Sequence, residues 1–525
     1  MKLKSKILIV IFVAINLFLF STVSPIQTLM NMQYNEWLYY LIGKGMANGM
    51  VPYVDLVDHK GPYLFYLFAL INLLPFKHIG FYIVSTIIYS CIVVVSYEMC
   101  MLILSGSYVR ETLDESSHDS VISMVVAFIT HMICSSYYMS FGTMSAEIVT
   151  LPFTLISYYL FLKYLLTDGE NHPLKYMVVY GITAGISFFI KANAILAFVP
   201  IALYLLVSLI KNKKYKELLL DFVVGFISFV VTLLPAIIYS ITTNSFADMI
   251  EGAFTINILY TGTGMPSSSS NIESLWQTLI EFKEWIILCL GSIFAFNYLI
   301  KFRKHIIIFY ILSLVINLYS VLMSMRPYTN YLAYLMFYMM IVVLFFVKIL
   351  SDIFFGEDGV LSKNKILIKA PYKRNILILS IAIIIINILS YSLTFEVSNI
   401  NGVKQGTLAR RVVKIYEESD SAKKAPKLLV VGYAPYLYEA FETYPNEKYF
   451  ATPVVSRKVY KKPYDKIIER IEKGDEDIVI VAFERQMLRD KEFQGAVYNA
   501  LNSLYKSIGE TSYLGEKMEV FVKME

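Results

Sequence analysis

Charge is what this chain has little of: 17% of its 525 residues are Asp, Glu, Lys or Arg, against about 25% in a soluble globular protein. With 57% hydrophobic residues and a mean hydropathy of +0.58, a soluble fold is excluded. Cysteine is also sparse. Cys91, Cys100, Cys134 and Cys289 all fall inside apolar runs without CxxC or Cys/His spacing. They read as buried hydrophobes and argue against a disulfide framework or a zinc site. No GxGxxG or P-loop pattern occurs, so the usual phosphate-cradling signatures of nucleotide enzymes are missing. The net charge of +5 comes with Lys and Arg gathered in short loops, a topology signal rather than a nucleic-acid footprint.

Long apolar runs are present in plenty. Eleven read as spanning helices, at about 7–23, 80–104, 120–138, 147–166, 176–190, 194–211, 218–240, 285–300, 305–323, 331–350 and 375–394, near the roughly 17–25 residues that cross a ~30 Å hydrocarbon core. The first follows Lys2, Lys4 and Lys6 as a signal peptide would, but no small-residue cleavage site succeeds it, so it reads as an uncleaved anchor. With the N-terminus inside, the inner segments hold nineteen Lys and Arg, and the outer loops hold six: Lys44, Lys60, Lys77, Lys191, Lys283 and Arg326. The positive-inside rule selects this orientation, and an odd number of spans places the C-terminal segment outside.

Residues 1–396 thus read as a membrane domain and 397–525, charged and mixed in composition, as a soluble α/β domain. Within the latter, 427–432 (KLLVVG) and 477–483 (DIVIVAF) read as buried strands and 517–524 (KMEVFVKM) as an alternating one. Helices are expected at 435–443, 464–473 and 492–505. This part reads as a lid or packing domain without its own chemistry.

Polar residues gather in the loops of the outer face. The first outer loop, 24–79, carries Asn35-Glu36-Trp37, then Asp55, Asp58-His59-Lys60 and Gly61-Pro62. Glu36 to Asn48 suits a helix lying in the interface, with Trp37, Tyr39 and Tyr40 at headgroup depth. Pro62 to Pro75 is apolar but too short to span, and Pro62 suits its first turn. Glu147 opens the fourth span, Lys191 and Asn193 lie in the turn after the fifth, and Arg326-Pro327-Tyr328 follows the ninth. Carboxylates and cations converging at one bilayer surface suit a reaction on a lipid-linked phosphate: a cation steadies the departing phosphate, and a carboxylate accepts the proton of the attacking hydroxyl. The competing readings are structural. Lys191 and Arg326 suit headgroup anchors, Asp55 and Asp58 suit caps before Pro62, and Glu147 suits a helix dipole. His131 in mid-span reads as a hydrogen-bonded core residue. The loop 241–284, with its Gly and Ser, reads as a mobile segment over the site.

The stretch Tyr34 to Pro62, Glu147 before Leu151-Pro152-Phe153, Lys191-x-Asn193, and Arg326-Pro327-Tyr328 before Tyr331 together resemble the GT-C fold glycosyltransferases that use polyprenyl-phosphate sugars. Protein O-mannosyltransferases and the aminoarabinose transferases of lipid A belong to that class, and the likeness is to its Gram-positive bacterial branch. The resemblance implies a multi-pass protein of the bacterial cytoplasmic membrane that moves a sugar from a polyprenyl-phosphate donor to a cell-wall polymer, lipid or protein outside, with inversion. It matches Lys60 to the lysine on the donor phosphate, with Arg326 and Lys191 beside it. Asp55, His59, Glu147, Tyr328 and Asn193 are implied as substrate contacts. It matches Asn35, followed by Glu36, to the catalytic Asp, and an amide cannot accept a proton as a carboxylate does. Three alternatives stay open: Glu36 serves as the base, the register is shifted, or the chain is a catalytically impaired relative. Asp55, Asp58 or Glu147 could share the role. Some relatives use a divalent metal, and no metal-ligand spacing is visible in the sequence. A transporter or flippase of lipid-linked sugars is the rival of another class, although neither an internal repeat nor a well-placed mid-span charge supports it.

Overall fold

The computed structural model describes residues 2–26, 32–74, 77–105, 117–136, 139, 142–166, 172–262, 270–301, 303–355, 381, 385, 396–451, 455–483 and 490–524. Eight helices among the described residues are long and apolar enough to cross a bilayer, so the chain is a polytopic α-helical membrane protein. In chain order, α1 covers Lys2–Phe20, α2 Tyr34–Ala47, α3 Pro62–Leu73, α4 Lys77–Ser105, α5 Ser117–Ser135, α6 Ala146–Leu166 and α7 Leu174–Ile190. A 3-10 turn, Ala192–Phe198, leads into α8 (Val199–Lys211), followed by α9 (Tyr215–Thr242). The sequence-expected spans at 176–190 and 285–300 are helices of 17 residues each. The expected eleventh, 375–394, lies outside the described residues except for Ile381 and Ile385.

The loop 241–284 departs from expectation. It folds as α10 (Phe246–Ile250), a π turn (Glu251–Thr255), α11 (Ile256–Gly262) and, after the undescribed residues 263–269, α12 (Asn271–Glu281). The Ser270 hydroxyl accepts from the Glu273 N–H at 3.2 Å and caps α12, so the end of the serine run is a helix start. The remaining helices are α13 (Lys283–Leu299), α14 (Lys304–Leu322) and, after a 3-10 turn at Thr329–Leu335, α15 (Met336–Phe355).

Beyond the bundle, α16 (Glu396–Glu417) precedes a four-stranded sheet of order β1-β2-β4-β3. The strands β1 (Leu428–Gly432) and β2 (Ile478–Ala482) pair in parallel, while β4 (Glu516–Lys523) pairs antiparallel with both β2 and β3 (Tyr505–Tyr513). Every residue of β1 and β2 is buried, because helices cover both faces. Leu428, Val430, Ile478 and Ile480 meet Leu408 and Val412 of α16 in one apolar cluster. Leu429, Val431, Val479 and Val481 pack instead with Ile467 and Ile471 of α18 (Lys462–Lys473) and with Phe493 and Val497 of α19 (Lys491–Leu504). The helix expected at 435–443 shrinks to α17 (Leu437–Ala440).

The sheet domain and the first loop share one core. Trp37, Tyr39 and Tyr40 are at most 1% exposed and belong to the same cluster as β1 and α16, so their rings pack inside the protein rather than against lipid. The helix α2 is covered on one side by α3 and on the other by the sheet domain. Trp37 Nε1 donates to Gln405 Oε1 at 3.0 Å, the Tyr34 and Tyr433 rings stack, and Lys44 Nζ pairs with Glu439 at 2.6 Å. Of the cysteines, Cys100, Cys134 and Cys289 are buried, whereas Cys91 is exposed on an outward face of α4. His131 is a core residue as expected, bonded to Asn16.

Candidate functional site

The loop between α2 and α3 is wound tightly enough to aim three consecutive side chains inward. Asp55 closes its turn: one carboxylate oxygen accepts from the Val51 N–H at 2.6 Å. Tyr53 takes the left-handed backbone region at φ 69°, uncommon for a bulky residue. Two bonds hold it there, from its N–H to the Leu56 carbonyl at 2.8 Å and from its hydroxyl to the Lys60 carbonyl at 2.7 Å. Gly61 then passes directly against the end of α7, its N–H donating to the Ile190 carbonyl at 3.0 Å. A methyl group at Gly61 would collide with the Phe189 carbonyl. This close approach sets Lys60 beside the turn that carries Lys191.

Asp58, His59 and Lys60 form a relay along the loop. Asp58 Oδ1 lies 3.0 Å from His59 Nδ1, and His59 Nε2 meets Lys60 Nζ. With Nδ1 protonated toward the carboxylate, Nε2 is free to accept from the ammonium. Burial lowers the His59 pKa, and the Lys60 charge adds to that effect. Burial likewise draws Lys60 down, to about 8. For Asp58, burial pushes upward, but the charges of His59 and Lys60 with the His59 hydrogen bonds override it and hold the carboxyl well below its usual range. Asp58 Oδ2 is buried without a hydrogen-bond partner, a costly state for a charged oxygen unless a donor arrives.

A second group of charges joins through aromatic rings. The Lys191 ammonium pairs with Glu147 in the first turn of α6 and lies 4.0 Å from the Tyr331 ring centre. The Arg326 guanidinium lies 3.7 Å from the centre of the Tyr260 ring, against which His59 also stacks at 5.5 Å. The Tyr260 and Tyr331 hydroxyls are 3.3 Å apart. Tyr260, on α11, therefore connects the relay to Arg326 and Lys191. Lys60, Lys191 and Arg326 are each less than a tenth exposed, as are Asp58 and Glu147.

The other sequence candidates lie differently. Glu36 is buried, but its oxygens accept from the backbone N–H groups of Met144 at 2.7 Å and Gln33 at 3.2 Å. Burial pushes its pKa up to about 7 against those bonds. Asn35, one residue earlier, is exposed. Asn193 is half-buried with a carbonyl oxygen lacking a partner, and Tyr328 is 42% exposed with its ring edge-on to Tyr331. Among the described residues no three His, Cys, Asp or Glu side chains converge to hold a metal ion. Sequence reasoning missed Tyr260 as the connecting ring, because a tyrosine in a loop with Gly and Ser carries no local mark of burial.

The fold is shared with proteins of known structure. ArnT from Cupriavidus metallidurans bound to undecaprenyl phosphate superposes with a TM-score of 0.53 at 10% identity, over 98% of this chain and 97% of that one. The Archaeoglobus fulgidus oligosaccharyltransferase in complex with Zn and sulfate gives a TM-score of 0.47 at 12% identity, over 95% of this chain and 71% of that one. The chain thus has the GT-C fold that the resemblance implied. No curated protein matches its sequence. Residues 1–354 match a family model, that of the competence-induced protein Ccs4 N-terminal domain.

Proposed function

The chain belongs to the competence-induced Ccs4 N-terminal domain family, and from the geometry of its site we propose that it is an integral-membrane glycosyltransferase using a polyprenyl-phosphate sugar. The observation that carries this reading is that Lys60, Lys191 and Arg326 are buried and joined through the Tyr260 and Tyr331 rings, beside the Asp58 carboxylate. Cations gathered in this way suit a phosphate at a membrane surface, and the carboxylate suits a proton acceptor. The ArnT neighbour with undecaprenyl phosphate supports a polyprenyl donor. The bias of Lys and Arg in the loops supports a site outside the cell, with the N-terminus inside.

In this reading Lys60 and Arg326 hold the donor phosphate, and Lys191, fixed by Glu147, adds charge behind them. The acceptor hydroxyl oxygen bonds to the anomeric carbon from the face opposite the phosphate. The bond from that carbon to the phosphate oxygen breaks, its electron pair leaves on the polyprenyl phosphate, and the sugar carbon inverts. Asp58 takes the hydroxyl proton through its unpartnered Oδ2. Glu36 suits that role less well, because backbone N–H groups already bond its oxygens. The test is binding of undecaprenyl phosphate to the protein in nanodiscs. Lys60→Ala and Arg326→Ala should each weaken it roughly tenfold or more, the usual value of a charge-assisted bond. Unchanged affinity in both would refute the assignment.

A further inference from the structure

A cleft open to solvent lies between the Val57–His59 segment and the sheet domain. One wall is Val57, Asp58, His59 and Ile256; the other is Tyr449, Val455 and Tyr460 of the sheet domain. We infer that this cleft binds a neutral, hydroxyl-bearing sugar ring of the acceptor, so that the sheet domain supplies half of the acceptor site. The inference rests on the transfer reading above and deepens it.

Three observations carry it. First, among the described residues no Lys or Arg lines the cleft and Asp58 is its charged side chain, so a ring hydroxyl there meets a hydrogen-bond acceptor. Second, two atoms of the lining residues, Asp58 Oδ2 and the Tyr449 hydroxyl, are buried without a hydrogen-bond partner among the described residues, and the hydroxyls of a sugar ring in the cleft supply partners for both. Third, tyrosine faces flanked by Val57, Val455 and Ile256 offer the apolar, electron-rich surface on which the C–H face of a sugar ring packs.

The opposing wall is clamped in place. The Val57 N–H donates to the Lys448 carbonyl at 3.0 Å, and the Lys448 ammonium pairs with Asp248. Tyr460 donates to Glu251, and Lys462 Nζ meets both Glu251 oxygens at 2.7 and 2.9 Å. Tyr460 thus belongs to the cleft and to the clamp at once. The sheet domain holds the far wall in register with the Val57–His59 segment, and Tyr449, Val455 and Tyr460 set which ring fits.

The test is saturation-transfer NMR on the full chain in nanodiscs, with a panel of methyl hexosides and methyl N-acetylhexosaminides as probes and ribitol phosphate as an anionic comparison. At least one neutral glycoside should bind, more strongly than ribitol phosphate. Asp58→Asn and Tyr449→Ala should each weaken it roughly tenfold. Undecaprenyl phosphate binding reports folding of each variant and tests the donor reading separately. Absence of glycoside binding in protein that binds undecaprenyl phosphate overturns this inference and leaves the donor site standing. Glycoside binding indifferent to both cleft substitutions, or preference for ribitol phosphate, overturns it as well.

Discussion

Lys60 shows how burial turns an ordinary side chain into a pH-dependent one. Its ammonium is drawn down to about 8, so the charge proposed to hold the donor phosphate is present below that pH and lost as pH rises through it. Undecaprenyl phosphate affinity, measured from pH 6.5 to 9.5, should fall on the alkaline side of about 8. Lys60→Arg should remove that fall, since a guanidinium stays charged throughout. Glu36 behaves oppositely. Its folded pKa, about 7, lies above the usual carboxylate value, so its contribution to stability is present below the unfolded value and is lost as pH rises through about 7. Thermal unfolding of the protein should show that loss between about pH 5 and 8, and Glu36→Gln should flatten it. Asp58→Asn, in contrast, should cost transfer roughly 10²–10⁴-fold, the usual weight of a general base. At this scale the Asp58-His59-Lys60 run was legible in the sequence because three adjacent polar residues stood before a helix-starting Pro. The distinction between Asp58 and Glu36 was not, because it depends on which backbone N–H groups reach each carboxylate.

Elements were legible where one physical signal dominated. The apolar runs of β1 and β2 revealed buried strands, and Pro62 marked the start of α3 within an apolar stretch too short to span. The strand β3 was missed because its sequence, YKSIGETSY, is mostly polar and it lies at the sheet edge, where one side needs no partner. The segment 241–284 was misread for a related reason: Gly and Ser suggested looseness, while Asp248 and Glu251 find their partners Lys448 and Lys462 some 200 residues away. Gly61 is the element-scale weak point, since it lets the α2–α3 loop lie against the end of α7. Gly61→Ala should destabilise the protein by roughly 1–3 kcal/mol, the usual cost of forcing backbones apart. It should also lower donor affinity by moving Lys60 away from Lys191. Thermal unfolding and undecaprenyl phosphate titration of the same sample check both, and a variant with neither effect would show that the contact does not position the site.

At the scale of the whole molecule, the site belongs to neither the membrane part nor the sheet domain alone. The loop 24–79 and residues 397–525 share an apolar cluster, and ionic contacts from α10 and the π turn hold the sheet domain over the α2–α3 loop. Composition suggested two parts divided near 397, but the core shared by the first loop and the sheet domain could not be read, because long-range packing leaves no periodicity in either sequence. The central claim is sugar transfer. Its most direct measurement uses purified full-length protein in nanodiscs, radiolabelled undecaprenyl-phosphate sugars and isolated cell-envelope fractions. The account predicts label appearing on an envelope acceptor, with loss of that label in both Lys60→Ala and Asp58→Asn. Transfer that persists in those two variants, or donor binding by the native protein with no transfer to any envelope fraction, would contradict it.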